Sequence, residues 1–312
     1  MKEEKKVKLM LDSGAFSAWT KKTLIDIEQY GDFCFENQDY FESIVNLDVI
    51  PGEFGKKDLG EKEVERSASL GWKNYQYMLK RGIPQEKLIH VFHQGENFKW
   101  LEVFIKEKVS YIGLSPGNDR TTQEKIYWFD RCMNYVCDNE GIPIVKFHGF
   151  GIGSVEIIIR YPFFSVDSTT WVLTSRFGSV FVPMGKGGKY DYNVAPLKIA
   201  VSAHSPSKKD EGEHFDSLSP TLKKNVLDYF ELKGYKLGKT EVKKVLLGYA
   251  LSENERWIKK EKGVVEIVIE PGLSNQYVQR DEMNILYFLD LESNLPQWPW
   301  AFKRKINRLF SK

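Results

Sequence analysis

Cysteine is scarce in this chain, and Cys34, Cys132 and Cys137 are too few and too irregularly spaced to read as a disulfide framework. That excludes the stapled secreted scaffolds and favours a reducing compartment, the cytoplasm. Cys132 and Cys137 fall on one expected helix at a spacing that does not present two ligands on one face, so packing fits them better than metal binding. Long apolar runs are missing as well. Residues 1–8 are charged and lead straight into a short apolar segment, so neither a targeting segment nor a membrane partner is expected. An excess of one charge is also lacking: 45 basic side chains face 43 acidic ones, and any surface for a polyanion must be local. No fixed-period repeat or long low-complexity tract occurs, and 312 residues suffice for one large domain or two small ones with a buried core.

What is present is an alternation of short apolar runs and longer helix-like stretches, the pattern of parallel strands joined by crossover helices. The expected strands are residues 7–11, 43–47, 88–92, 111–114, 144–147 and 163–166, with helices over 64–81, 98–108, 122–139 and 154–161. After Asp167 the pattern changes. Residues 179–183 and 197–201 flank a Gly/Lys-rich stretch and predict a hairpin, 202–213 reads as an exposed loop, and 219–233 as an amphipathic helix. Residues 242–260 fit helix or strand-turn-helix, while 264–270 predicts a strand by its β-branched content. A boundary near residue 202 divides a catalytic core, 1–201, carrying a hairpin insertion, from a C-terminal portion, 202–312.

In parallel α/β barrels, functional groups collect where strands end. Here those positions are polar and glycine-rich: Asp12-Ser13-Gly14-Ala15-Phe16, then Asp48, then His93-Gln94-Gly95, then Ser115 to Arg120, then His148 to Gly153, and last Asp167 to Trp171. An Asp after a strand is often a helix cap or turn former, and Asp48 alone fits that reading as well as a functional one. Asp12 and Asp167 each end an apolar run and precede small or hydroxyl residues, so two carboxylates can share one cavity, one attacking and one moving protons. Gly149, Gly151 and Gly153 read G-x-G-x-G, short of the dinucleotide fingerprint, and close passage of the backbone past a flat base or a phosphate fits better. His93 and His148, with Asp12, Asp48 and Asp167, leave a metal-dependent barrel hydrolase as an alternative.

These stretches, over residues 7–190, resemble the queuine/archaeosine tRNA-guanine transglycosylase superfamily, whose members carry D-S-G-G-F at one strand end and an Asp nucleophile after a later strand. Here the first motif reads Asp12-Ser13-Gly14-Ala15-Phe16, with alanine for the second glycine. The resemblance implies a TIM-barrel-like (β/α)8 fold with a modified strand complement, since the family's segment ahead of the motif has no counterpart, and a small α+β C-terminal extension completing the barrel. It further implies that Asp12 is the general acid/base and Asp167 the nucleophile at the sugar. Ser13, Gly14, Phe16, Asp48, Gln94, Gly113, Leu114, His148, Gly149 and Gly151 would then form the purine pocket. Leu173-Thr174-Ser175-Arg176 is similar to the family's threonine-arginine pair, which puts Arg176 on phosphate.

The family's C-x-C-x-x-C zinc segment is absent, because no cysteine follows Cys137. Compact, zinc-poor relatives look like the phage and bacterial branch that exchanges guanine for a 7-deazaguanine in DNA. DNA is therefore expected over tRNA as substrate, with a free 7-deazaguanine as co-substrate and the cytoplasm, a host's if phage-encoded, as compartment. Such an exchange needs no metal, redox cofactor or ATP. The lost zinc region leaves room for a protein partner or a homodimer. Lys186-Gly187-Gly188-Lys189-Tyr190 reads equally as a phosphate-contacting loop or a solvated hairpin tip. Trp298, Trp300, Lys303, Arg304, Lys305 and Arg308 read equally as a strand-gripping cluster or a docked terminal helix.

Overall fold

A computed structural model describes residues 7–51, 60–202, 205, 213–246, 248–258 and 262–302. The chain forms two compact units, one of residues 1–167 with 297–312 and one of residues 168–296, dividing after Asp167 rather than near residue 202. The first unit begins β1 (Met10–Leu11), α1 (Ala15–Lys21), α2 (Ile27–Asn37), β2 (Ser43–Val45), α3 (Glu61–Arg81), β3 (Leu88–His93) and α4 (Lys99–Lys106). It continues with β4 (Tyr111–Ser115), α5 (Thr122–Val136), β5 (Lys146–Gly149), α6 (Val155–Arg160) and β6 (Ser165–Val166). The strands pair in parallel and in chain order, β1 through β6, so each is joined to its neighbour by a helical crossover, and the sheet curls as half a barrel. All six expected strands and all four expected helices are present.

Strand alternation sorts the core into two layers. On the concave face Val45, Ile89, Val91 and Tyr111 pack with Met10 and Phe150. Under the helices, His90 is boxed by Trp72, Tyr75 and Phe104, and Phe92 stacks on Trp128 with ring centroids 5.9 Å apart. Because both faces are covered, β3 is buried along almost its whole length, as its continuous apolar character requires. A capping box of Thr121 and Glu124 opens α5. Gly113 keeps the concave face thin. A Cβ there would stand 2.3 Å from the Phe150 ring, so glycine is what lets that ring lie on the sheet.

Residues 297–302 return to this unit. The Trp298 indole N–H donates to the Pro162 carbonyl at 3.0 Å, the Phe302 ring stacks on Tyr161, and the Phe302 N–H donates to the Gly141 carbonyl at 2.7 Å. Trp298 is thus a packing residue. Lys303, Arg304, Lys305 and Arg308 lie outside the described residues.

The second unit holds α7 (Thr170–Arg176), β7 (Ser179–Val182), β8 (Met184–Lys186), β9 (Lys189–Asp191), β10 (Leu197–Ala200) and α8 (Pro220–Leu232). After these come β11 (Lys239–Lys244), β12 (Glu255–Trp257), β13 (Val264–Glu270) and α9 (Tyr277–Asn294). The expected 179–183/197–201 hairpin is the antiparallel β7–β10 pair, and the Gly/Lys-rich stretch between them makes a second, smaller hairpin of β8 and β9. β13 lies between β11 and β12, so the described residues of the 242–260 region form strand, turn and strand. Its helices are held by buried polar groups: the Asn284 carbonyl accepts from Phe181 N–H, and the Arg280 guanidinium donates to the Ser175 and Leu273 carbonyls. No helix among the described residues is long and apolar enough to cross a membrane.

Candidate active site

Asp12 follows β1 and Asp167 follows β6, at opposite edges of the sheet order. Six strands laid flat would separate those edges by about 24 Å, well beyond the roughly 10 Å over which exposed charges feel each other. Yet the Asp167 charge is among the causes that raise the Asp12 pKa. The sheet curls as half a barrel, and both carboxylates stand at the C-terminal ends of its strands, where α/β sheets place their sites.

Both carboxylates meet solvent, and their neighbours bias them in opposite directions. The surrounding protein, and then the Asp48 charge, raise the Asp12 pKa against hydrogen bonds from the Ser13 and Gly14 backbone. Asp167 meets the same desolvation, but hydrogen bonds from His148 and from the Gly151 N–H outweigh it and hold its pKa below the ordinary carboxylate value. His148 Nε2 lies 3.1 Å from Asp167 Oδ1, and the Gly151 N–H donates to the same oxygen at 3.0 Å. Gly151 has φ +63°, a conformation glycine adopts without strain, and it aims that N–H at the carboxylate.

The support continues inward. His148 Nδ1 lies 2.6 Å from the Ser165 hydroxyl, which in turn lies 2.6 Å from the Tyr111 hydroxyl. Burial, working against the Ser165 hydrogen bond, pushes the Tyr111 pKa up to about 12, so the phenol stays protonated. His148 has 1% of its side chain exposed, which makes it a positioning residue for Asp167 rather than a group that touches a substrate.

Asp48 is held from two sides. Its Oδ1 accepts from the Ser13 hydroxyl at 3.1 Å, and its Oδ2 lies 2.9 Å from His93 Nε2. The other His93 nitrogen, Nδ1, lies 2.9 Å from Glu96 Oε1. Burial opposes charge on His93, but the hydrogen bonds of Asp48 and Glu96 prevail and raise its pKa to about 10, giving an imidazolium clamped between two carboxylates. Neither ring nitrogen is left for a metal, and among the described residues no group of three His, Cys, Asp or Glu side chains is arranged to hold one.

Six expected pocket residues lie elsewhere or do other work. Gly113 and Leu114 are buried, Gly113 under the Phe150 ring, and the Leu114 carbonyl accepts from Phe150 N–H at 3.0 Å, so this backbone does not reach the mouth. Gly149 is buried in β5 with Ile152 and Phe163 where a Cβ would sit. The Gln94 side-chain carbonyl accepts from Gly117 N–H at 3.0 Å, and Gln94 lines an open cleft beside α5. Gly14, at φ +73°, caps α1 and turns the chain away from Asp12, while Phe16 is half-exposed on that helix. In the second unit Arg176, Lys186 and Lys189 are exposed, the two lysines flanking a Gly187-Gly188 turn with positive φ at both positions. Sequence reading missed Tyr111, Ser165 and Glu96. Period-two counting back from Asp167 picks out Ser165, and Glu96 follows His93 by three, the span of one turn.

No protein-family model and no curated protein matches the chain.

Proposed function

We propose that the chain exchanges guanine in a nucleic-acid strand, DNA in our reading, for a 7-deazaguanine derivative, on a modified TIM-type barrel. The observation that carries this reading is the opposite bias of two carboxylates at the C-terminal strand ends of one curled sheet: Asp12 is pushed toward its protonated form and Asp167 toward its ionised form. Replacing a base without cutting the strand requires the C–N glycosidic bond to break while water is denied the sugar, which a covalent carboxylate ester accomplishes.

In the first half, an Asp167 oxygen bonds to C1′ as the C1′–N9 bond breaks, and Asp12 delivers its proton to the departing guanine. In the second half, the incoming base gives a proton to Asp12 as its nitrogen bonds to C1′, and the bond from Asp167 to C1′ breaks. Asp48, fixed by Ser13 and His93, retains lone pairs to accept from the N–H edge of the purine. We assign Arg176, Lys186 and Lys189 to phosphate contacts on charge and exposure. The target nucleotide must leave the stack to reach the mouth. The choice of DNA rests on the resemblance noted from the sequence.

Incubation with labelled guanine and, separately, DNA and tRNA tests the reading. Label in DNA alone is expected, and label in tRNA alone moves the substrate to tRNA. Label in neither, with no denaturation-resistant protein–nucleic-acid adduct, overturns the exchange.

A further inference from the structure

The Gln94–Phe98 turn and one side of α5 enclose an open cleft of about 800 Å³, whose lining includes Gln94, Glu96, Arg120, Tyr127, Trp128 and Arg131. Glu96 gives it an acceptor. Only 3% of this side chain is exposed, one oxygen serves His93, and the other, Oε2, is buried with no hydrogen-bond partner among the described residues. A buried carboxylate oxygen without a donor is costly, and a ligand N–H removes that cost. Tyr127 gives the cleft an open π face: it is 67% exposed, and no described ring packs on it.

Two cations also line it, beside Gln123 and the exposed Glu124 carboxylate. The Arg131 guanidinium lies 4.1 Å from the centre of the Phe98 ring and makes no ion pair among the described residues. Arg120 reaches Asp119 and Glu124 only at 3.8 and 3.6 Å, exposed pairings that hold it weakly.

An interior acceptor, a stacking face and two cations complement a planar base with an N–H edge that also carries phosphate. A cationic peptide side chain would satisfy Glu96 but be repelled by both arginines. Adenine would set the lone pair of N1 beside its amino group and against the carboxylate, whereas guanine presents N1–H and the 2-amino group together.

We propose that this cleft is a guanine-nucleotide subsite, with the base edge on Glu96, the ring on Tyr127 and the phosphate on Arg120 and Arg131. It does not rest on the exchange reading, and its ligand is either a free guanine nucleotide or a guanine nucleotide within a strand.

Calorimetric titration of the full chain with GMP, AMP, inorganic phosphate, a guanine-containing oligodeoxynucleotide and oligo-dT separates these cases. For a free nucleotide, GMP binds about tenfold tighter than AMP. For a strand nucleotide, the guanine oligonucleotide exceeds oligo-dT by the same factor while GMP binds weakly. In either case Tyr127→Ala and Arg131→Ala, both surface changes, each weaken binding about fivefold or more, and Asp12→Asn leaves it unchanged. Binding indifferent to Tyr127→Ala and Arg131→Ala, lost with Asp12→Asn, or matched by inorganic phosphate overturns the subsite. Guanine binding here without base exchange overturns only the exchange, so the two failures are distinguishable.

Discussion

The ends of β1 and β6 carry the same functional group, similarly open to solvent, in two different neighbourhoods. Around Asp12 the largest influence after burial is another carboxylate, Asp48, itself bonded to His93. Around Asp167 it is an imidazole backed by a buried hydroxyl chain, together with a backbone amide. The difference teaches that exposure alone does not set a carboxylate's chemistry. What decides is whether its neighbours supply a like charge or a donor.

The largest way to break the comparison is to remove one member. Asp167→Ala is expected to abolish the covalent adduct on denaturing gels and lower exchange by about 10⁴-fold or more, while Asp12→Asn costs about 10²–10⁴-fold. Persistence of the adduct in Asp167→Ala would remove that residue from its role. Next, His148→Ala takes away the donor that favours the ionised nucleophile, so the Asp167 pKa rises. Exchange needs Asp167 ionised, hence the acidic limb of the pH–rate profile moves to higher pH, with kcat down about 10²-fold. A purely structural His148 would lower activity without moving that limb.

Gly151→Ala, which strains the positive-φ turn, is expected to shift the same limb in the same direction with about a tenfold loss. The smallest effect sharpens the other side. Asp48→Asn deletes the charge that raises the Asp12 pKa, and exchange needs Asp12 protonated as guanine leaves. The alkaline limb therefore moves to lower pH, while KM for the free base rises about tenfold. An alkaline limb that stays fixed in Asp48→Asn would show that it does not belong to Asp12.

The βα alternation was legible because each strand is a short apolar run closed by a polar residue, and Asp12 and Asp167 stood out for the same reason. α2 was not expected although the Asp26 side chain caps it, accepting from the Glu28 and Gln29 N–H groups. Gly149 was expected to let the backbone pass a base and Gly113 to close the base pocket, and instead they make room for Phe150, Ile152 and Phe163, a distinction that depends on which ring folds back onto the strand. Gln94 and His93 show the limit most clearly. They are adjacent in sequence, and one side chain joins the Asp48 network while the other lines the cleft beside α5.

The return of residues 297–302 to the first unit means that the unit bearing Asp12 and Asp167 is interrupted in sequence by the whole of the second. During synthesis, the Tyr161 ring and the Pro162 carbonyl wait for partners made more than a hundred residues later. Closing so long a span costs little more entropy than closing one half its length, because that cost grows only with the logarithm of length. The interruption therefore weighs on the order of events, with the second unit free to fold on the ribosome before the first can seal its surface.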